Sequence, residues 1–223
     1  MMEPVVCDFH THTYLSDGVL SPIELIRFAM VKGYGVIAVT DHVSAATMER
    51  VLKEVKADCK LAEEYWGLTA IAGVELTNIP AGSVSSLARK ARELGAEIVV
   101  VHGETIAEPV EPGTNLAAVS TPEVDILAHP GLLTEREAET ARKNGVYLEL
   151  SSRRGHSLTN GHVAKIAARY GVPLLINSDA HEPADLHTKE YVRKVAVGAG
   201  LTADEITWAI RENPRALLKR IHP

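Results

Sequence analysis

The feature of this sequence that most limits its fold is a regular alternation of short, β-type apolar runs with helical patterns. Seven such runs begin 22 to 33 residues apart. They are Val5–His10, Gly35–Thr40, Leu68–Leu76, Glu97–His102, Val124–His129, Val146–Leu150 and Pro173–Asn177. Strands that alternate with helices form parallel sheets, and runs rich in Val, Ile and Leu predict burial on both faces. Periodicity alone fits either a doubly wound sheet or a closed barrel.

Helix boundary signals between the runs support this arrangement. The segment Ser21-Pro22-Ile23-Glu24 is a capping box with proline in the first helical turn. Thr134 with Glu137, and Thr202 with Glu205, repeat the same Ser/Thr-x-x-Glu spacing. These signals predict helices that begin at defined residues between the strands.

The composition fits one ordinary globular domain. Apolar residues make up 46% of the 223 residues and charged residues 23%, which excludes disordered and fibrous chains. No linker or low-complexity tract is evident, so we expect a single domain over residues 1–223. The formal charge is −6 and no long run of Lys or Arg occurs, which disfavours a stable complex with duplex nucleic acid.

The sequence also predicts a cytoplasmic protein without a membrane partner. Cys7 and Cys59 cannot make a disulfide framework, which is typical of reducing compartments. Residues Met1–His10 lack the cationic start and apolar stretch of a signal peptide. No apolar run approaches the roughly 20 residues that span a bilayer.

Strongly polar residues stand at the carboxyl ends of nearly all the predicted strands. They are His10 and His12 with Asp17 in the following loop, His42, Glu75, His102, His129, and Asp179 with His181. Ligands bind at this edge both in open α/β sheets and in barrels. Because residues two apart on a strand project to the same side, His10 and His12 point together, as do Asp179 and His181.

These nine side chains have the chemistry of a metal site. Imidazole and carboxylate ligands without thiolates suit Zn, Mn or Fe. A single histidine at a strand end is more often an ordinary hydrogen-bonded residue than a ligand. Six of the ten histidines end predicted strands on one edge, however, and burying so many ionisable groups without a metal would be costly. Nine candidates exceed the four ligands of one tetrahedral ion, so the sequence predicts more than one ion.

In order along the chain, these residues resemble the motifs of the PHP family, named for polymerase and histidinol phosphatase. The motifs are Asp8-Phe9-His10-Thr11-His12 with Ser16-Asp17-Gly18, Thr40-Asp41-His42, Gly73-Val74-Glu75, Val101-His102-Gly103, Ala128-His129-Pro130 and Ser178-Asp179-Ala180-His181. The resemblance spans residues 5–181. It implies a distorted barrel of seven βα units, a site for three divalent metal ions and hydrolysis of phosphoesters.

The resemblance also implies how the ligands are shared among the ions. One ion is expected at His10, His12, Glu75 and Asp179. Glu75 is expected to bridge to a second ion, held also by His102 and His129. The third ion is expected at Asp17, His42 and His181; the family often has histidine where this chain has Asp17. Glu75 and Asp179 are also assigned catalytic roles through the ions.

The mechanism expected from this resemblance is in-line attack on phosphorus by a hydroxide between two metals. The segment Ser151–Asn160 follows the sixth predicted strand at the same edge, and its Arg153 and Arg154 are candidates to bind the phosphate. A metal-bound water or His156 is the candidate general acid for the leaving oxygen, and Arg154 is also a candidate catalytic residue.

Five further residues complete the sequence-based assignments. Asp8 and Asn177, which share the strand parity of His10 and Asp179, are expected to orient metal ligands from behind. The remaining histidines show no partner pattern and are expected at the surface. These are His162, His187 and His222.

Several functions remain open at this point. The leading one is a phosphatase for a small phosphomonoester, such as histidinol phosphate. The alternative is a phosphoesterase or exonuclease acting on nucleotides or short single strands, although an aromatic content of 4% leaves few stacking platforms. Amidohydrolase chemistry also uses metal barrels with an early His-x-His, but Glu75 replaces the lysine bridge of many such sites. A catalytically silent, metal-stabilised module would not require so full a ligand set. The oligomeric state is not predicted.

Overall fold

The structure is a computed structural model that describes residues 6–222. Its eight strands are β1 (Val6–Asp8), β2 (Tyr34–Val39), β3 (His42–Val43), β4 (Thr69–Leu76), β5 (Ile98–His102), β6 (Ile126–Ala128), β7 (Tyr147–Ser151) and β8 (Leu174–Asn177). All the strand pairs are parallel, in the order β1-β2-β4-β5-β6-β7-β8, with β3 beside β4. Val5, the predicted start of the first strand, lies outside the described residues.

Strands β2 and β3 are two halves of one interrupted strand. Val39 pairs with Ala72 on β4, and His42 pairs with Glu75 three residues further along both strands. The interruption at Thr40-Asp41 is not evident from the apolar pattern. Counted in this way, the sheet has seven parallel strands, as the sequence predicts.

Residues just beyond the ends of β1 and β8 bring the two edges of the sheet together. The backbone N–H of Asp179 donates to the carbonyl of His10 at 3.0 Å, and that of His12 donates to the carbonyl of Ala180 at 2.8 Å. Thr11 and Ala180 also form a parallel bridge. The sheet is therefore nearly closed into a barrel, and the predicted distorted (β/α)7 barrel is confirmed.

Residues 6–222 also form nine α-helices. They are α1 (Pro22–Val31), α2 (Met48–Trp66), α3 (Val84–Glu93), α4 (Thr114–Val119), α5 (Glu135–Asn144), α6 (Asn160–Tyr170), α7 (Lys189–Gly198), α8 (Ala203–Thr207) and α9 (Asn213–Ile221), with a π-helical turn at Trp208–Glu212. The three predicted capping boxes begin α1, α5 and α8. Within residues 6–222, none of the helices has both the length and the apolar character needed to cross a bilayer.

The barrel interior has an apolar half and a polar half. At the amino ends of the strands, side chains such as Val36, Ile98, Ile126 and Leu175 are buried in one cluster, and Leu217 of α9 joins it. A larger apolar layer lies between the sheet and the helices. The carboxyl ends of the strands are instead occupied by ionisable side chains.

Candidate metal centre

All nine predicted ligand residues meet at the carboxyl end of the barrel. Six of them are buried: His10, His12, Glu75, His102, His129 and Asp179. The other three lie at the mouth of the site, where the Asp17 side chain is 54% exposed and those of His42 and His181 are 25% and 12% exposed. The parallel strands bring residues more than 160 positions apart into one cluster.

The first group joins β1 to β8 through Glu75 of β4. The Nε2 atom of His10 lies 3.3 Å from Glu75 Oε1 and 3.9 Å from Asp179 Oδ1. The Nε2 atom of His12 lies 3.2 Å from the same Asp179 oxygen. Two imidazoles and two carboxylates therefore point at a common space.

The second group surrounds the other side of Glu75. One ligand atom each from Glu75, His102 and His129 lies within 4.8 Å of the others. His129 Nε2 is 3.7 Å from Glu75 Oε1, and His102 Nε2 is 3.1 Å from the half-exposed carboxylate of Glu108. Glu75 is thus the carboxylate common to two groups.

The third group is the most exposed. The carboxylate of Asp17 lies 3.1 Å from His181 Nε2 and 3.5 Å from His42 Nε2. His12 places a ring nitrogen within 4.8 Å of these ligand atoms. Asp17 therefore lies in this group at the position where the family often has histidine.

Burial and opposite charges act against each other in this cluster. Burial alone would lower the pKa of His10, but the carboxylates of Glu149, Glu75 and Asp179 together raise it well above 6.5. Burial would likewise raise the pKa of Glu75, but His10 and His42 hold it well below 4.5. Glu75 is therefore an anion in the absence of any metal.

For Asp179, His12 and His129, burial outweighs the nearby opposite charges, and the pKa shifts in the direction that burial imposes. Burial raises the pKa of Asp179 to about 7, against the opposing charge of His10. Burial and the charge of His42 lower the pKa of His12 well below 6.5. Burial and the charge of His102 likewise lower the pKa of His129 well below 6.5. Neutral imidazoles of this kind keep the lone pair that metal coordination requires.

Several buried polar atoms of the cluster have no hydrogen-bond partner among the described residues. They are His10 Nε2, both ring nitrogens of His12, Glu75 Oε1 and His129 Nδ1. An unsatisfied buried polar atom costs about 1–3 kcal/mol. Of these atoms, His10 Nε2, His12 Nε2 and Glu75 Oε1 face the carboxylates and imidazoles of the cluster, so the residues present fit divalent cations well.

Backbone strain occurs at two of the same residues. His129 has φ +26° and Asp179 has φ +54°, a region that non-glycine residues seldom adopt. Backbone strain of this kind clusters at functional sites, where surrounding contacts enforce it. His129 directly follows β6, and Asp179 is two residues beyond the end of β8.

The two predicted phosphate-binding arginines have different positions. Arg153 lines the cavity, its guanidinium donating to the carbonyl of Asp179 at 3.2 Å and lying 2.6 Å from His181 Nδ1. Arg154 is exposed and does not line the cavity. The geometry therefore supports Arg153 and not Arg154.

His156 lies inside the cavity, as the sequence predicts. Its Nδ1 atom is 2.7 Å from Thr105 Oγ1, and its Nε2 atom is 3.8 Å from Asp179 Oδ2. Burial lowers the pKa of His156 to about 4. This pKa favours the neutral imidazole at neutral pH, and the role of His156 as general acid stays a prediction.

Asp8 and Asn177 lie behind the cluster but contact mainly backbone. Asp8 Oδ1 accepts from the N–H groups of Ser178 at 3.1 Å and His10 at 3.4 Å. Asn177 Oδ1 accepts from Phe9 N–H at 3.0 Å. Neither touches an imidazole, so they fix the strand ends that carry the ligands.

Two buried residues were missed or misplaced by sequence reasoning. Glu149 has no exposed surface and its Oε2 lies 2.8 Å from His10 Nδ1; an acidic residue inside an apolar strand was the available signal. His187 was expected at the surface, which is wrong. It is fully buried, with Nε2 2.6 Å from Ser152 Oγ, and nothing in its neighbouring sequence indicates that packing.

The ligand cluster opens into a cavity of about 400 Å³. Arg153, His156 and Glu108 form part of its wall, together with the exposed ligands. A second depression of about 290 Å³, with Ile79, Pro80 and Val110, shares Asn78 and His102 with it. The site therefore has room for an organic group beside the ligand cluster.

Known proteins resemble this chain in sequence. A sequence model of the PHP domain matches residues 8–107. The chain is 47% identical to "Uncharacterized protein MJ1295" of Methanocaldococcus jannaschii, covering 96% of this chain and 99% of that protein. It is 30% identical to a probable phosphatase of Thermoanaerobacter sp. strain X514, covering 90% and 89%. It is 28% identical to ribonuclease P protein component 3 of Methanosarcina mazei, covering 100% and 92%.

Solved structures resemble it in fold. The "putative histidinol phosphatase hisK" of Listeria monocytogenes superposes with a TM-score of 0.56 over 82% of this chain and 98% of that chain. The sequence identity is 11%, so this likeness concerns the barrel architecture and not the chemistry.

Proposed function

The chain belongs to the PHP domain family, and from this premise we propose that it hydrolyses a small phosphomonoester with three divalent metal ions at the carboxyl end of its barrel. The coarser activity, metal-dependent hydrolysis of phosphoester bonds, follows from the family itself. We extend the PHP-type domain to residues 1–223, because β6 to β8 lead into His129, Asp179 and His181, a third of the ligand cluster.

The observation that carries the proposal is the convergence of nine ligand-type side chains, four of which have buried nitrogens or oxygens without a hydrogen-bond partner among the described residues. We assign His10, His12, Glu75 and Asp179 to one ion; Glu75, His102 and His129 to a second; and Asp17, His42 and His181 to a third. Zn, Mn and Fe suit this imidazole and carboxylate set. When bound, such ions activate water and neutralise the charge of phosphate oxygens.

Arg153 is the group of this chain that we assign to the substrate phosphate. Its guanidinium is on the cavity wall beside Asp179 and is 30% exposed, so it is available to a ligand. Guanidinium groups bind phosphate oxygens through paired, charge-assisted hydrogen bonds. Arg153 would therefore orient the phosphate toward the ligand cluster.

We assign His156 to the leaving oxygen as a neutral hydrogen-bond donor. Thr105 Oγ1 accepts from Ala107 N–H at 3.3 Å, so its own hydroxyl is available to donate to His156 Nδ1. With that tautomer, the Nε2–H group faces the cavity. The proton that the leaving alkoxide finally takes then comes from water.

The walls of the cavity favour a small substrate over a nucleic-acid strand. None of the described residues lining the main cavity or the adjoining depression is a Phe, Tyr or Trp. Proteins that bind single strands usually stack the bases on aromatic side chains. Nucleotides or short single strands remain the second candidate, because ribonuclease P protein component 3 resembles the whole chain.

The test is phosphate release from an aryl phosphate by protein that has been stripped with a chelator and reloaded with Mn, Zn or Fe. We expect activity only after reloading, and none in the His10→Ala variant. Full activity of the stripped protein or of that variant would contradict the proposal. Metal analysis giving at most one ion per chain after reloading would contradict the three-ion assignment.

A substrate panel then separates the remaining functions. It contains phosphorylated amino alcohols including histidinol phosphate, mononucleotides, short oligonucleotides and an N-acyl amino acid. Release of phosphate from the first group supports the monoesterase, and cleavage of oligonucleotides alone supports the second candidate. Cleavage of the amide alone would indicate amidohydrolase chemistry.

A further inference from the structure

Glu149 of β7 is a buried carboxylate beneath the ligand cluster that is not among the nine proposed ligands. Its side chain has no exposed surface. Its Oε2 atom lies 2.8 Å from His10 Nδ1 and accepts from Asn177 Nδ2 at 2.9 Å. Its Oε1 atom has no hydrogen-bond partner among the described residues. A carboxylate is costly to bury in this way unless a positive charge compensates for it.

No Lys or Arg supplies that charge, since the hydrogen-bond and ion-pair partners of Glu149 among the described residues are His10 and Asn177, with His129 also near its carboxylate. Asn177 is itself oriented, because its Oδ1 accepts from Phe9 N–H at 3.0 Å, which turns its amide N–H group toward Glu149. The carboxylate is therefore held in place by a neutral donor on one side and faces an imidazole on the other.

The two nitrogens of His10 face different partners. Nδ1 faces Glu149, whereas Nε2 lies 3.3 Å from Glu75 Oε1 and makes no hydrogen bond. An ionised carboxylate can only accept a hydrogen bond, so Nδ1 must carry the proton. The lone pair of the neutral ring is then on Nε2, toward Glu75 and Asp179.

We propose that Glu149 is a positioning residue that fixes the tautomer and orientation of His10, so that His10 Nε2 is presented as a metal ligand. This inference rests on the metal centre of the proposed function, but not on its substrate. Carboxylates behind metal-bound histidines raise the basicity of the ligand, and their loss typically weakens metal affinity by about 10- to 100-fold.

The first experiment measures Zn²⁺ affinity by competition with a chromophoric chelator, in wild-type protein and in the Glu149→Gln variant. We expect one ion to bind about 10- to 100-fold more weakly in the variant. Glu149→Asp, which retains the charge on a shorter side chain, should recover part of the loss. Glu64→Gln, an exposed carboxylate of α2, is the control and should bind as the wild type does.

A structural role for Glu149 would give a different result. Glu149 is paired with His10 in the metal-free protein, so Glu149→Gln should itself lower the stability of that form, because one partner of a buried pair is removed. Zn²⁺ affinity is therefore measured at a temperature at which circular dichroism shows the metal-free variant to be folded. Weaker binding of one ion by the folded variant supports the proposal, and unchanged affinity for every ion would overturn it.

A second measurement is made on wild-type protein, so it does not depend on whether a Glu149 variant folds. In ¹⁵N–¹H spectra of zinc-loaded wild-type protein, the His10 ring should show a proton on Nδ1 and none on Nε2. The resonance is assigned by its absence in His10→Asn. A His10 ring with its proton on Nε2 would overturn the proposal.

These outcomes are separable from failure of the proposed function. Wild-type protein that binds no Zn²⁺ would overturn both the metal centre and the role of Glu149. Protein that binds Zn²⁺ with the predicted dependence on Glu149 but releases no phosphate would leave the role of Glu149 intact and contradict only the phosphomonoesterase.

Discussion

The two ends of the barrel interior are equally well buried but chemically opposite. At the amino ends of the strands, Leu217 of α9 is fully buried against residues such as Val36 and Ile98. At the carboxyl ends, His12 and Glu75 are just as inaccessible, yet both ring nitrogens of His12 and the Oε1 atom of Glu75 lack hydrogen-bond partners among the described residues. Burial at the first end stabilises the fold, and burial at the second end costs free energy that bound cations would offset.

The buried carboxylates at the two ends of the barrel also differ in their partners. Asp125, near the amino end, forms ion pairs with Arg92 and with Arg220 at 2.8 Å, and accepts from Val99 N–H. Glu75, at the other end, contacts only imidazoles and Thr77. Arg92 and Arg220 neutralise the charge of Asp125. Glu75 has no such arginine partner among the described residues, so its charge is available to a bound metal ion.

The largest expected effect is on activity, from Asp179→Asn at the carboxyl end. The substitution keeps the size and the tolerance of positive φ but removes an anionic ligand. Loss of several kcal/mol of transition-state stabilisation corresponds to about 10³-fold in kcat/KM. Steady-state kinetics with added metal measures it.

The stability of the Asp179→Asn variant tests the comparison between the two ends of the barrel independently of activity. Because the substitution removes a buried charge, metal-free Asp179→Asn should unfold at the same temperature as the wild type or above it. Asp204→Asn, exposed at the start of α8, is the matched control for activity. An active Asp179→Asn enzyme, or one that is unfolded without metal, would contradict the division between the two ends.

The reverse result is expected from Leu217→Ala at the amino end. Truncation of a fully buried leucine leaves a cavity and should lower the free energy of unfolding by about 2–5 kcal/mol. Urea denaturation of metal-free protein measures it, with the 48%-exposed Leu61→Ala as control. Zn²⁺ affinity should be unchanged, and a large loss of affinity would show that the two ends are coupled.

Much of this architecture follows from the sequence, for physical reasons that differ between its parts. The capping boxes at Ser21, Thr134 and Thr202 are local hydrogen-bond patterns and predict helix starts correctly. Ligands such as Glu75 were predictable because strand ends of a parallel sheet share one edge. The contact between His10 and Asp179 that closes the barrel depends on partners far apart in sequence, and periodicity leaves it open.

The parts that were not predictable depend on packing at irregular or long-range positions. The loop after β7 turns Arg153 into the cavity and Arg154 out of it, although the two residues are adjacent and chemically identical. The burial of His187 depends on contacts with Ser152 and Tyr34, each far away in the sequence. No local pattern encodes either outcome.

A smaller effect is expected from the two neighbouring arginines. Arg153→Ala should raise KM for a phosphomonoester by about 10- to 100-fold, because a hydrogen bond to a charged group contributes about 1.5–3 kcal/mol. Arg154→Ala, the matched control, should stay within about twofold of the wild type. Initial rates at varied substrate concentration measure both. Equal effects of the two substitutions would contradict the assignment of Arg153.

The smallest effect concerns His187, a histidine buried behind the site that contacts none of the proposed ligands. Its Nδ1 atom has no hydrogen-bond partner in the described residues, and burial lowers its pKa despite the opposing charge of Asp8. Because the folded protein binds the proton less readily than the unfolded chain, stability is lost as the pH falls below the unfolded value of about 6.5.

The lowered pKa of His187 predicts that wild-type protein is more sensitive to acid than a variant without this imidazole. Wild-type protein should lose more free energy of unfolding than His187→Gln between pH 6.5 and 5.5, with an upper limit of about 1 kcal/mol that a fully depressed pKa would give. Urea denaturation of the metal-free proteins at the two pH values measures the difference, in which the other titrating groups cancel. An equal loss of stability in the wild type and in His187→Gln would show that the interior near Ser152 accommodates the charged imidazole. Burial of a charge would then cost less free energy there than at the apolar end.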